Sequence, residues 1–164
     1  MVRTLVIGYG NPSRRDDGAG LAVVNGLRSR LGLPDLDETT DGFADLGHTL
    51  DTLFVQQLTP ELADTLTGYE RLLLVDAHAG AYPDLVHWTP LVPRYDPAMV
   101  SHIVKPAHLL ALAEQYAGRS PEAVLVSIRG EDFDFGLGLS AETARGVQQV
   151  IAHIWEETVT QNDQ

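Results

Sequence analysis

Apolar residues along this chain recur in two rhythms. The first is the near-continuous run. Thr4-Leu5-Val6-Ile7-Gly8, Arg71-Leu72-Leu73-Leu74-Val75-Asp76 and residues 123–128 are apolar almost throughout, which marks strands covered on both faces of a parallel sheet. Leu53-Phe54-Val55 is a shorter run of the same kind, and residues 85–92 alternate only partly, as an edge strand does. The second rhythm is helical. Leu21, Val24, Leu27 and Leu31 follow it, as do Leu109, Leu112, Ala113 and Tyr116, and then Val147, Val150, Ile151 and Ile154 at i, i+3, i+4 and i+7. Start signals precede each helix: Asp16 or Asp17 as an N-cap, Thr59-Pro60-Glu61 opening a short helix through Leu66, Pro106, and Ser140. Residues 33–51, rich in Asp, Gly, Pro and Thr, have no period, and the polar residues 158–164 are expected to fray. Strands alternating with helices predict an α/β protein: one domain over residues 1–157, a three-layer α/β/α sandwich whose open sheet is mostly parallel.

Composition narrows what such a domain does. The 164 residues suit a single core. No apolar run approaches the ~20 residues of a membrane-spanning helix. Met1-Val2-Arg3 leads straight into strand-like sequence, so no secretory leader is expected, and the expected compartment is the cytoplasm. With no cysteine, the chain has no disulfide, thiolate metal site, iron–sulfur ligand or cysteine nucleophile of its own. Eleven basic against 23 acidic side chains leave a net charge of −12, so neither nucleic acid nor an anionic membrane is expected as a partner. Five arginines against two aspartates in residues 1–31 leave room for a local basic patch. No pattern in the chain sets an oligomeric state.

Doubly wound sheets bind ligands in the crevice beyond the carboxyl ends of their strands, so the polar residues that follow strands are the candidates for chemistry. After the first strand comes Gly8-Tyr9-Gly10-Asn11-Pro12-Ser13-Arg14-Arg15-Asp16-Asp17-Gly18. Ser13 stands where a dinucleotide fingerprint needs its third glycine, and no organic cofactor is expected. For Asp16-Asp17 the plain role is helix capping, with one carboxylate free to face the crevice while the other caps. Asp76 ends the most buried strand, where an acid needs a hydrogen-bonded, charged or cationic partner. His78 reads as a surface-loop histidine or as a neighbour of the same site. His102, in Ser101-His102-Ile103-Val104-Lys105-Pro106, lies in a loop returning to the crevice ahead of a helix. Asp17, Asp76 and His102 together make an O/O/N set suited to a borderline divalent metal with open positions. There is no Gly-x-Ser-x-Gly elbow, His-Glu-x-x-His pair or Gly-x4-Gly-Lys-Ser/Thr loop.

These residues carry a family resemblance. Gly8-Tyr9-Gly10-Asn11 with Asp16-Asp17-Gly18-Ala19-Gly20, then Gln57-Leu58-Thr59-Pro60-Glu61-Leu62-Ala63, Val75-Asp76-Ala77, Ser101-His102-x3-Pro106-x2-Leu109-Leu110-Ala111-Leu112-Ala113 and Gly136-Leu137-Gly138-Leu139-Ser140 follow one another in a specific order. In that order the chain resembles the hydrogenase maturation proteases, endopeptidases that trim the C-terminus of the large subunit of nickel–iron hydrogenases. The resemblance implies that Asp17, Asp76 and His102 contact nickel already installed in the large-subunit precursor, so that the metal arrives with the substrate. Many relatives have Glu where Asp17 stands, and the shorter side chain requires closer backbone approach. Residues 33–51 match the family pattern poorly. The expected mechanism is alignment of the precursor's C-terminal extension by the gripped metal. Either a carboxylate, Asp16 or Asp17, then orients the attacking water, or the metal polarises the scissile carbonyl. Two other readings stay open. One is a chaperone that binds precursor or nickel on the same fold without cleaving. The other is an enzyme like the peptidyl-tRNA hydrolases, which also open with a strand and a Gly-x-Gly-Asn-Pro turn; here Ser13-Arg14-Arg15-Asp16-Asp17 replaces their catalytic histidine, and the charge of −12 is poor for holding tRNA.

Overall fold

Five strands form one sheet in the computed structural model, which describes residues 2–96 and 104–162. They are β1 (Thr4–Tyr9), β2 (Leu50–Val55), β3 (Arg71–His78), β4 (Val86–Leu91) and β5 (Glu122–Arg129), lying across the sheet in the order β2-β1-β3-β5-β4. β2, β1, β3 and β5 are parallel, and β4 runs antiparallel to β5 at the edge. Among the described residues, α1 (Ala19–Leu31) and α4 (Ala141–Asn162) cover one face, and α2 (Leu62–Leu66) and α3 (Pro106–Ala117) cover the other. This is the three-layer, mostly parallel architecture that the alternation of strand and helix predicts. No helix among the described residues is long and apolar enough to cross a membrane.

The two-residue period of a strand decides which layer each side chain joins. In β3, Leu73 and Val75 meet Val23, Val24 and Leu27 of α1 and Val147, Val150 and Ile151 of α4. Leu72 and Leu74 turn the other way, to Leu62 and Leu66 of α2 and Leu109, Leu110 and Ala113 of α3. Each such side chain contributes roughly 1.5–3 kcal/mol when buried, and a one-residue slip would exchange the two faces, so the register is strongly specified. The same alternation sets the strand ends. Tyr9 follows Leu5 and Ile7, and Asp76 follows Leu72 and Leu74, so both lie on the face of α2 and α3.

Where the elements depart from the apolar pattern, polar partners or missing cover explain it. β2 starts at Leu50, ahead of the apolar run, because Asp51 and Thr52 are buried with partners. Arg28 of α1 is buried as well, donating to the Pro34 carbonyl at 2.7 Å, Thr52 Oγ1 at 3.3 Å and Asp45 Oδ2 at 2.6 Å. Asn25 exchanges two hydrogen bonds with the backbone of Leu36. Residues 33–51 are thus tied down by side-chain amide and guanidinium groups, which leave no hydrophobic period to read. On α3 the buried residues are His108, Leu109, Leu110 and Ala113, whereas Tyr116 is 75% exposed, because the five-residue α2 leaves the last turn of α3 uncovered. α4 continues through Asn162 with Thr158 buried beyond Ile151 and Ile154, so the first residues of the expected frayed tail extend a packed helix face. α2 starts at Leu62, after a turn in which Thr59 and Pro60 accept from Leu62 N and Ala63 N.

Candidate functional site

From β1 the chain passes through α1 to β2 on one side, whereas β3 leads on toward β4 and β5 on the other, so the winding reverses between β1 and β3. Such a switch point opens a crevice at the carboxyl ends of the two strands. Tyr9 ends β1 at this place, and Asp76 stands near the end of β3. The Tyr9 hydroxyl donates to Asp76 Oδ2 at 3.0 Å, and Ser127, directly beside Asp76 in the β3–β5 register, donates from Oγ to Oδ1 at 2.9 Å. Both carboxylate oxygens therefore have a neutral donor and keep further lone pairs. α1 sits close enough above to reach the strands because Gly20 has no side chain: a Cβ there would lie 2.6 Å from the Val75 carbonyl oxygen.

The loop after β1 separates its two aspartates. Arg15, at φ +44 in the left-handed region, opens a single 3-10 turn, Arg15–Gly18, and Gly18 then takes the N-cap position of α1 with no side-chain cap. Neither aspartate caps α1, which corrects the plain reading. The carboxylate of Asp17 folds back over the loop, accepting from Asn11 N at 2.7 Å. Gly10, at φ +136, permits this approach, since a Cβ there would stand 3.2 Å from Asp17 Oδ1. Asp16 turns the other way and is wholly buried. It accepts from Glu131 N at 2.8 Å, Asp132 N at 3.0 Å, Ser140 N at 2.7 Å and Ser140 Oγ at 2.8 Å. Asp16 thus joins the first loop to the segment between β5 and α4, with its lone pairs engaged. Ser140 stands just ahead of α4, its carbonyl accepting from Ala144 N.

Electrostatics distinguish Asp76 from Asp16. Burial pushes the Asp76 carboxyl up; the Ser127 and Tyr9 hydroxyls pull it down, the Asp17 charge pushes it up again, and the balance lies above the ordinary carboxylate range. Burial, followed by the charge and hydrogen bond of Asp76, also raises the Tyr9 phenol, so Tyr9 remains a donor. For Asp16, burial acts upward, but the hydrogen bonds from Glu131, Ser140 and Asp132 outweigh it and hold the carboxyl below its ordinary value. Among the described residues, no Lys or Arg forms an ion pair with Asp17 or Asp76. Asp76 thus has an acidic neighbour in Asp17, and neither acid is paired with a Lys or Arg of the described residues.

The remaining sequence candidates fall as follows. His102 lies outside the described residues. The chain is described again from Val104, which is buried on the face of α2 and α3 and donates its backbone N–H to Leu58, just past β2. His78 is buried, not part of a surface loop: its Nδ1 accepts from Gly80 N at 3.2 Å and Ala81 N at 3.1 Å. Burial, and then Arg129 and His87, hold its imidazole below the usual range, in the neutral form. His108 Nδ1 accepts from Asp96 N, His87 pairs with Asp84, His153 with Glu157 and His48 with Asp51. Among the described residues, no group of three or more histidines and carboxylates is arranged to hold a metal. Sequence reasoning passed over Tyr9 and Ser127. The signal for each was a polar residue in an apolar strand, Tyr9 in step with Leu5 and Ile7 and Ser127 within residues 123–128.

No protein-family model matches the chain, and no curated protein does. Solved structures do. A nickel–iron hydrogenase maturation protease HycI from Thermococcus kodakarensis KOD1 superposes at a TM-score of 0.65 with 16% identity, covering 94% of this chain and 91% of that one. The maturation protease HybD from the same species gives a TM-score of 0.64 at 21% identity, over 95% of this chain and 99% of that one. For the hydrogenase-maturating endopeptidase HybD from E. coli the TM-score is 0.60 at 21% identity, with 94% and 93% covered. The chain has the fold of the hydrogenase maturation proteases over nearly its whole length.

Proposed function

We propose that this protein is an endopeptidase that removes the C-terminal extension of a nickel-loaded hydrogenase large-subunit precursor. Asp17, Asp76 and His102 contact the nickel that the substrate brings. The observation that carries the reading is the convergence of Asp17 and Asp76 at the switch point, where neutral donors orient Asp76 and no cationic side chain of the described residues neutralises either acid. Carboxylate oxygens in this setting, completed by an imidazole, suit a borderline divalent ion. The shared fold of the maturation proteases supports the choice of substrate.

In this reading Tyr9 and Ser127 fix the orientation of Asp76, as second partners of metal-binding carboxylates do. Asp17, held by Asn11, faces the same crevice. Gripping the metal lays the extension across the carboxyl ends of the strands, and this positioning supplies most of the rate. Asp17 is the carboxylate left to orient water, because Asp16 is occupied by its four donors. No organic cofactor takes part, and the reaction belongs in the cytoplasm.

Incubation with nickel-loaded precursor followed by mass spectrometry tests the reading. The wild type is expected to release the extension, and Asp76→Asn and His102→Ala are each expected to slow release more than about 100-fold. A precursor that is bound but keeps its full mass would make the chain a non-cleaving chaperone. Wild-type rates in both variants would remove the metal contacts from the mechanism.

A further inference from the structure

The segment between β5 and α4 presents a feature that the crevice does not use. Phe133, Phe135, Leu137 and Leu139 alternate with Asp134, Gly136 and Gly138, a strand-like pattern, yet the segment joins no strand of the sheet. Leu139 packs against the core, while Phe135 and Leu137 are 77% and 79% exposed. The segment is firmly held. Gly136 N donates to the Ser13 carbonyl at 2.9 Å and Arg15 N to the Gly136 carbonyl at 3.1 Å, a parallel bridge to the first loop. Arg14 Nε donates to the Phe133 carbonyl at 3.0 Å, and its guanidinium lies 4.7 Å from the centre of the Phe135 ring. Arg15 pairs with Asp132 at 3.5 Å, and Asp16 ties the segment at both ends through Glu131, Asp132 and Ser140. Two apolar side chains are thus presented to solvent on a frame built from the same loop that carries Asp17.

We infer that Phe135 and Leu137 form a docking ridge for the large-subunit precursor, received by an apolar patch with a basic rim on that protein. This rests on the function proposed above. Continuity identifies the occupant: residues 13–17 grip the ridge on one side and place Asp17 at the crevice on the other, so a protein lying across the crevice meets the ridge. Charge identifies its chemistry. Glu131, Asp132 and Asp134 beside the ridge outnumber Arg14 and Arg15, of which Arg15 is paired with Asp132 and Arg14 lies over Phe135, and the whole chain carries a net charge of −12. An exposed apolar patch rimmed by polar residues is the usual mark of an interaction site.

The test compares Phe135→Ser/Leu137→Ser with Tyr116→Ser, which removes an equally exposed aromatic from the far end of α3. Calorimetric titration with nickel-loaded precursor and steady-state cleavage are measured for each. The ridge variant is expected to bind the precursor at least about tenfold more weakly, with KM raised and kcat kept within about twofold, while Tyr116→Ser matches the wild type. Equal affinity of the ridge variant and the wild type overturns the inference, as does loss of a wild-type dimer in the ridge variant, which would make the occupant a second copy. A wild type that binds the precursor without cleaving it, with binding lost in the ridge variant, upholds the ridge and rejects the proteolytic reading alone. A wild type that does not bind the precursor rejects both.

Discussion

Two aspartate–tyrosine pairs stand near opposite ends of the sheet, and their surroundings differ in donors and in charge. Near the start of β2, Asp51 accepts from the Tyr69 hydroxyl at 2.6 Å, from Gly47 N at 2.9 Å and from His48 N at 3.1 Å, with the Arg3 guanidinium at 3.6 Å. At the carboxyl end, Asp76 accepts, among the described residues, from the Tyr9 and Ser127 hydroxyls and from its own backbone N–H, and its charged neighbour is another acid, Asp17. The first carboxylate is satisfied by its own chain. The second is oriented but not neutralised, an arrangement that lowers stability and leaves a place for a cation. The same side-chain pair is therefore a structural joint in one place and, in the reading proposed above, a ligand in the other, according to whether a positive charge of the described residues comes with it.

Exchanging the acids for amides probes this contrast most strongly at the structural joint. Asp51→Asn leaves Arg3 facing a neutral group and replaces one of the two acceptor oxygens, so that either His48 N, or Gly47 N and the Tyr69 hydroxyl, lose their acceptor, and chemical denaturation should show a loss of about 2 kcal/mol. Cleavage below the lowered melting temperature should stay unchanged. A smaller effect is expected from Tyr9→Phe, which removes only the hydroxyl that aims Asp76. Cleavage at limiting nickel-loaded precursor should fall about tenfold, with the far-ultraviolet circular dichroism preserved. Tyr69→Phe, the matching change at the other end, should leave cleavage untouched, and a matching tenfold fall there would erase the distinction.

The smallest effect has the opposite sign. Asp76→Asn should stabilise the metal-free protein by about 1 kcal/mol at neutral pH, since it removes a carboxylate whose charge the folded state disfavours. The pH dependence follows from linkage. Because the folded protein holds the Asp76 proton to higher pH than the unfolded chain does, wild-type stability falls as pH rises from the ordinary carboxylate range through the raised folded pKa. The gap between Asp76→Asn and wild type should therefore be full above that window and close below it. Melting curves across pH 3–8 check this, and a gap independent of pH would mean that Asp76 is not held protonated by the fold.

The residues differ in how far they could be read from the chain. Asp76 stood out in the chain because a carboxylate at the end of an apolar strand is out of place in a core, and Asp17 because it lies between a strand and a helix, where the loops of a doubly wound sheet converge. The role of Asp16 did not, since its partners, Glu131, Asp132 and Ser140, lie more than a hundred residues away. Tyr9 and Ser127 looked like ordinary members of their strands until register set them beside Asp76. In residues 33–51, Arg28 and Asn25 supply the order, and a buried polar network has no period to detect.

The chain alone determined the layers of the sandwich, the parallel sense of its inner strands and the apolar faces, because these follow from local periodicity repeated along each element. Only the folded molecule decided which acid is paired and which is left open, and which apolar side chains remain in solvent. Those outcomes depend on contacts between residues distant in sequence, and neighbouring aspartates such as Asp16 and Asp17 acquire opposite surroundings from a single backbone turn at Arg15.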